Sequence, residues 1–172
     1  HGRLVGNGAR QSADGLRPVV VRLPAGDAPA VVATGATMAP MPKTDDILSA
    51  DARAFLEAPR FASVATTDDD GAPRPALVWY RLLPDGRVLL NGRLPRRWCA
   101  NLLRDPRVSI SVMDAEDGYR WLGLTGVADE VVRALEPARD DIVALANRYH
   151  PEGPDETMVA RFRTEPRITY RV

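Results

Sequence analysis

The sequence predicts a mainly β domain, a small antiparallel barrel with helices set between its strands. Three observations carry this. Six short runs have the apolar patterning of strands, three Asp-Gly pairs (Asp70-Gly71, Asp85-Gly86 and Asp117-Gly118) mark tight turns, and only three stretches show a helical period. Closing six antiparallel strands into a barrel removes the exposed edges that an open sheet must otherwise protect.

Residues 1–42 are rich in Gly, Ala and Pro, contain no aromatic residue and carry no helical period. Such a segment buries little apolar surface and is expected to be a disordered arm. The chain begins with His1, and Met38 and Met41 stand just ahead of the first patterned residues, so either is a candidate native start. The ordered domain is expected over residues 46–172.

Ser49 can cap a short helix in which Ala52, Phe55 and Leu56 recur at helical spacing and which Pro59 ends. A strand over Phe61–Thr67, the Asp70-Gly71 turn and a return strand over Pro73–Leu82 form a hairpin, and Pro84-Asp85-Gly86 turns the chain into Arg87–Asn91. A helix from about Pro95 to Leu103 stops at Asp105-Pro106, and strands follow over Arg107–Met113 and Tyr119–Val132. Ala138, Ile142, Leu145 and Tyr149 mark an amphipathic helix that ends near His150-Pro151, and Arg167–Val172 closes the set as a sixth strand.

Composition limits the function. The 172 residues suit one domain, and 23 basic against 23 acidic residues leave no uniform positive field of the sort that non-specific nucleic-acid binding uses. Cys99 is the single cysteine, so neither an internal disulfide nor a cysteine pair for a metal is available, and a reducing cytoplasm is the expected compartment. There is no apolar run of membrane-spanning length and no secretory signal pattern at the N-terminus.

The densest chemical signal is RLPRRWCANLLRDPRVSI, Arg93 to Ile110. A strand end there meets a proline-opened helix with Arg96 and Arg97 in its first turn. Helix N-terminal N–H groups and the helix dipole favour an anion, and guanidinium forks grip phosphate oxygens through charge-assisted bonds. Five arginines and no acid lie between Gly86 and Arg104 in a chain of zero net charge. The same arginines could instead form a solvated helix face.

This stretch, with RFASVATTDDDGAPRPALVWY before it and DGYRWLGLTGVADEV after it, resembles the pyridoxamine 5'-phosphate oxidase-like enzymes. The run from Asn101 to Arg107 is especially similar to their F420-dependent branch. The resemblance covers about Asp46 to Val172 and implies a split β-barrel that binds a flavin-type cofactor, F420 or alternatively FMN. It places the cofactor phosphate on Arg96 and Arg97, with Asn91 and Arg93 just before them and Asn101 further along the helix. Many relatives carry a lysine after the first basic residues. Trp98 stands there instead, able to stack but not to pair with the carboxylates of an oligoglutamate tail. The resemblance also puts the backbone of Ala76, Leu77 and Val78 beside the cofactor ring, whereas by their own residue types Leu77 and Val78 read as ordinary barrel core. It further implies a homodimer whose two subunits build each cofactor cleft.

Trp79, Tyr80, Tyr119 and Trp121 are flat side chains that could shape a pocket for a planar conjugated substrate, and core packing accounts for them as well. His150 could donate a proton, but no partner acid can be placed beside it. Cys99 reads as a small buried apolar residue rather than a nucleophile. No metal is required. The function implied is F420-dependent hydride transfer to a conjugated small molecule. FMN-dependent oxidoreduction and non-catalytic sequestration of a flavin, deazaflavin or tetrapyrrole are the alternatives, because fold does not fix function.

Overall fold

A computed structural model of the chain describes residues 48–172 and the backbone of residues 19–22. Ser49 caps α1 (Ala50–Glu57) as expected: its hydroxyl accepts from the Ala52 N–H at 3.2 Å, and Ala52, Phe55 and Leu56 are buried. At the other end of this helix, Arg148 donates to the Leu56 and Ala58 carbonyls, two acceptors that a helix C-terminus leaves open.

The strands divide into two sheets. The first has the order β1-β7-β6-β2-β3, with β1 at Val19–Arg22, β2 at Ala62–Thr67, β3 at Pro73–Val78, β6 at Arg107–Met113 and β7 at Trp121–Val127. The second has the order β4-β5-β9-β8, with β4 at Tyr80–Leu82, β5 at Val88–Arg93, β8 at Glu130–Val132 and β9 at Arg167–Arg171. All pairings are antiparallel except that of β1, which lies parallel to β7. Of the expected arm, this strand is described; the rest of the arm and both candidate start methionines lie outside the described residues.

The architecture is a split barrel, not the single closed ring that the strand pattern alone suggests. Two expected strands are each broken between the sheets. Pro73–Leu82 divides at Trp79 into β3 and β4, and Tyr119–Val132 divides at Ala128-Asp129 into β7 and β8. The first break is pinned from outside: the Tyr149 hydroxyl lies within hydrogen-bond reach of the Tyr80 N–H (3.2 Å), the Tyr80 carbonyl and the Arg60 carbonyl. A local strand pattern cannot report a joint that is fixed by a helix some seventy residues later.

Two helices meet expectation in part. The second, α2, runs Arg97–Arg104 and not from Pro95. Pro95, joined to Leu94 by a cis peptide bond, lies in the turn ahead of the helix, and Arg96 is the N-cap. The third, α3, spans Leu135–Tyr149 and buries Ala138, Ile142, Leu145 and Ala146. A fourth, α4 (Glu156–Thr164), was not expected from the sequence. Asp155 caps it by accepting from the Met158 N–H at 3.1 Å, and Phe162 is its buried residue.

The main core lies between the sheets and includes Leu56, Val64, Tyr80, Leu90, Leu102, Ile110, Leu124 and Tyr170. A second, smaller cluster of Leu89, Ile142, Leu145, Ala146 and Phe162 packs on the opposite face of β5, under α3 and α4. Period-two alternation makes this possible: Val88 and Leu90 face the main core, while Leu89 points the other way. Gly92 keeps the main-core side open to α2. A Cβ there would meet Cys99 Sγ at 2.2 Å and the Trp98 ring at 2.6 Å. Among the described residues no helix is long and apolar enough to cross a membrane.

Candidate cofactor-binding site

The register of β5 with β9 sets Asn91 opposite Thr169 and Arg93 opposite Arg167. All four side chains fall on the face turned away from the main core. Beside them opens a cavity of about 510 Å³, whose wall includes Phe61, Leu77, Val78, Trp79, Asn91, Arg93, Arg96, Arg161, Phe162, Glu165 and Arg167. Sheet, loop and helix each contribute. Arg93 ends β5, Arg96 projects from the N-cap of α2, Arg161 and Phe162 come from α4, and Arg167 starts β9.

The charges are unequal. Four arginines face one acid, Glu165, which pairs with Arg93 at 3.1 Å, lies 3.8 Å from Arg161 and also pairs with Arg167. Arg96 makes no side-chain hydrogen bond or ion pair among the described residues. Burial pulls the Arg167 guanidinium below its ordinary value, Glu165 opposes that, and the nearby charges of Arg96 and Arg93 add to it. A surplus of guanidinium charge on a recessed wall suits an anionic ligand.

Two buried polar atoms on this wall lack partners among the described residues: Asn91 Oδ1 and Arg167 Nε. Asn91 is 6% exposed, and its amide is fixed by what its nitrogen does. Nδ2 donates to the Ala138 carbonyl at 2.8 Å and to Thr169 Oγ1 at 2.9 Å, while the Thr169 hydroxyl donates to Asp141 at 2.9 Å. The remaining oxygen is therefore an acceptor, and Arg167 Nε is a donor. Buried groups of this kind ordinarily find partners. Together with the arginines and the aromatic faces of Phe61 and Trp79, they fit a phosphorylated, planar, hydrogen-bonding cofactor of the flavin type.

The structure divides the residues that the sequence grouped. Asn91, Arg93, Arg96, Leu77, Val78 and Trp79 line the cavity, whereas Arg97, Trp98, Asn101, Ala76, Tyr80, Tyr119 and Trp121 do not. Arg97 begins the helix proper and is exposed, and its charge helps lower the Asp68 carboxyl. Trp98 is buried in the main core, its ring 5.8 Å from that of Tyr170, and so cannot stack on a ligand in the cavity. Asn101 is buried, donating to Thr66 at 3.1 Å and Asp68 at 2.7 Å. Ala76 packs against the main core, and Tyr80 lies within it, with its hydroxyl 3.4 Å from the Ala58 carbonyl.

Tyr119 is 85% exposed on the β6–β7 hairpin, and Trp121 lines a separate pocket of only about 20 Å³ with Phe55 and Arg120. His150 caps α3 and sits edge-on to Trp79 at 5.6 Å. Its buried Nε2 has no partner among the described residues, and it is not part of the cavity wall. Burial pushes the Cys99 thiol up to about 12, as expected of an inert residue. Among the described residues no group of acids, histidines or cysteines could hold a metal.

Sequence reasoning missed Phe61, Arg161, Phe162, Glu165 and Arg167 as wall residues. Three of these depend on α4, whose signal was present: Asp155 as a cap, Met158 and Phe162 four apart, and Pro166 as a stop.

Residues 48–167 match the family model described as pyridoxamine 5'-phosphate oxidase. The chain belongs to that family. An F420H(2)-dependent biliverdin reductase of Mycobacterium tuberculosis (strain CDC 1551 / Oshkosh) is 30% identical over 122 residues, covering 69% of this chain and 85% of the relative. A solved F420 reductase superposes with a TM-score of 0.60 at 25% identity, over 70% of this chain and 90% of that one. A conserved hypothetical protein of Mycobacterium tuberculosis gives 0.58 at 28% identity, over 72% and 78%. In this pyridoxamine 5'-phosphate oxidase-family chain, the stretch matched by the family model contains the whole of the cavity wall.

Proposed function

We propose that the chain is an F420-dependent oxidoreductase that holds reduced deazaflavin in the β5–β9 cavity and passes a hydride to a conjugated small molecule. The observation that carries this is the wall itself, where Arg96 and three further arginines stand beside aromatic faces, and where Arg96 and two buried polar atoms lack partners among the described residues. The F420H(2)-dependent biliverdin reductase and the F420 reductase to which the chain is similar support the choice of cofactor.

In this reading Arg96 takes the phosphate, with Arg93 and Arg167 next to it. Asn91 and Arg167 stand in the same wall, with Asn91 Oδ1 and Arg167 Nε the two buried polar atoms there that lack partners among the described residues. Trp79 is held at its angle by stacking on Tyr149, with ring centres 5.1 Å apart and planes 12° from parallel. When bound, the reduced deazaflavin supplies the hydride from its C5, and the protein's part is to position the two reactants and keep water out.

The site is completed by a second copy of the chain. Leu77 on the edge strand β3 is 77% exposed and Phe61 is 61% exposed, and both border the cavity. Exposed apolar side chains on the rim of a binding site suit a subunit contact.

Parallel titrations of the purified protein with F420 and with FMN, read by absorbance and fluorescence, test the proposal. Tighter binding of F420, followed by reoxidation of separately prepared reduced F420 when the protein and an enone, quinone or tetrapyrrole acceptor are added, is the expected result. Tighter binding of FMN would reassign the protein as a flavoprotein. Tight binding with no turnover on any acceptor would make it a carrier, and binding of neither would end the cofactor reading.

A further inference from the structure

Glu165 is the acid at the centre of the arginine group, and holding a phosphate and a ring gives it no task. Its side chain is 13% exposed, and its two oxygens serve three guanidinium groups from three elements. Oε1 faces Arg93 of β5 at 3.1 Å and Arg161 of α4 at 3.8 Å, and Oε2 takes Arg167 of β9. Its backbone is also held. The Glu165 N–H donates to the Arg161 carbonyl, and the Glu165 carbonyl accepts from Arg139 Nε, both at 3.2 Å. Arg139 also donates to the Thr164 carbonyl at 3.2 Å, and Pro166 follows directly. The carboxylate thus stands on a fixed support inside the cavity wall, with a net surplus of arginine around it.

A carboxylate in that position has two possible consequences, and they differ in sign. If it merely aims the arginines, removing it weakens anion binding. If it occupies them, an incoming anion has to displace it, and the gain on binding is only the difference between two anions competing for the same forks. The geometry favours the second. Arg93 and Arg161 line the cavity and pair with Glu165, while Arg96 has no ion pair among the described residues.

We propose that Glu165 is a tethered counter-anion that selects ligands by charge. This rests on the cavity being the cofactor site. A phosphate dianion or a chain of carboxylates outcompetes the single tethered carboxylate. A neutral ligand or a lone carboxylate does not, and gains nothing from Arg93 and Arg161. Glu165 therefore keeps small acids with a lone carboxylate, which cannot displace it, out of a site that is otherwise rich in guanidinium.

The test is a set of equilibrium titrations of the full-length protein, Glu165→Gln and Glu165→Asp with inorganic pyrophosphate, FMN, F420 and riboflavin. Glu165→Gln is expected to bind pyrophosphate, FMN and F420 about tenfold more tightly, with a steeper loss of affinity on adding salt, while riboflavin changes less than about twofold. Glu165→Asp, with its carboxylate drawn back by one methylene, is expected to show a smaller tightening in the same order, and it carries the test if circular dichroism shows that Glu165→Gln does not fold. Unchanged or weaker pyrophosphate binding, or riboflavin tightening as much as FMN, would overturn the proposal. If F420 and FMN bind no form of the protein while pyrophosphate still tightens in Glu165→Gln, the cofactor reading falls and the role of Glu165 stands. Failure of pyrophosphate to bind any form would overturn both.

Discussion

Strands β5 and β9 have two faces, and each has a different purpose. On one, Val88, Leu90, Ile168 and Tyr170 pack into the main core, and the only polar side-chain atom of these four, the Tyr170 hydroxyl, donates to the Cys99 carbonyl at 2.7 Å. On the other, Asn91, Arg93, Arg167 and Thr169 carry charge, a hydrogen-bond chain and two buried atoms without partners among the described residues. The first face satisfies itself and the second does not. Strand alternation places the two back to back, so the packed side holds the open side rigid.

The contrast can be broken most strongly from the core side. Leu90→Ala removes a fully buried side chain and is expected to cost about 2 to 5 kcal/mol in denaturant unfolding, with ligand affinity of the surviving folded protein little changed. From the cavity side, Arg96→Ala is expected to lose about 1.5 to 3 kcal/mol of F420 or FMN binding, roughly ten- to hundredfold, with little change in stability. Arg97→Ala, one residue on, is the control. It is expected to leave affinity nearly unchanged, and equal losses from the two variants would refute the separation of this pair.

Gly92→Ala tests the seam between the faces. Its Cβ cannot coexist with Cys99 Sγ at 2.2 Å, so α2 has to move, at about 1 to 3 kcal/mol of stability. Because α2 carries Arg96, a parallel loss of ligand affinity is expected in the same titration. The smallest effect lies away from both faces. The Arg74 guanidinium and the Asn101 amide hold the Asp68 carboxyl down to about 2. A group depressed in the folded state stabilises it above the unfolded value near ~4, and that contribution is lost as pH falls towards 2. Asp68→Asn is thus expected to be less stable than the parent at pH 6, with the gap closing between pH 4 and 2 in urea unfolding.

How much of this was legible depends on the distance over which each feature is decided. The hairpins at Asp70-Gly71 and Asp85-Gly86, the Ser49 cap and the apolar positions of α3 are local, and the sequence reports them. Arg96 was legible as a cation at the start of α2, and the structure sets it, but not Arg97, in the cavity wall; the helix itself starts at Arg97, two residues later than expected. With the helix beginning at Arg97, Trp98, Asn101 and Leu102 share its inward face at spacings of three and four, which sends Trp98 to the core. The break at Trp79 and the approach of Arg167 to Arg93 depend on elements far apart in the chain, and no local pattern carries them. The missed α4 is different, since its cap and spacing were present in the residues.

The chain has three tryptophans, and the fold has given each a separate environment: Trp79 in the cavity wall, Trp98 in the core and Trp121 at the far small pocket. Indole emission overlaps the absorption of flavins and deazaflavins, and energy transfer falls steeply with distance. The molecule therefore contains its own optical gauge of occupancy. Light emitted by Trp79 is extinguished first when the cavity fills, and a protein carrying Trp79→Phe should lose that part of the signal while keeping the fainter response of the other two indoles.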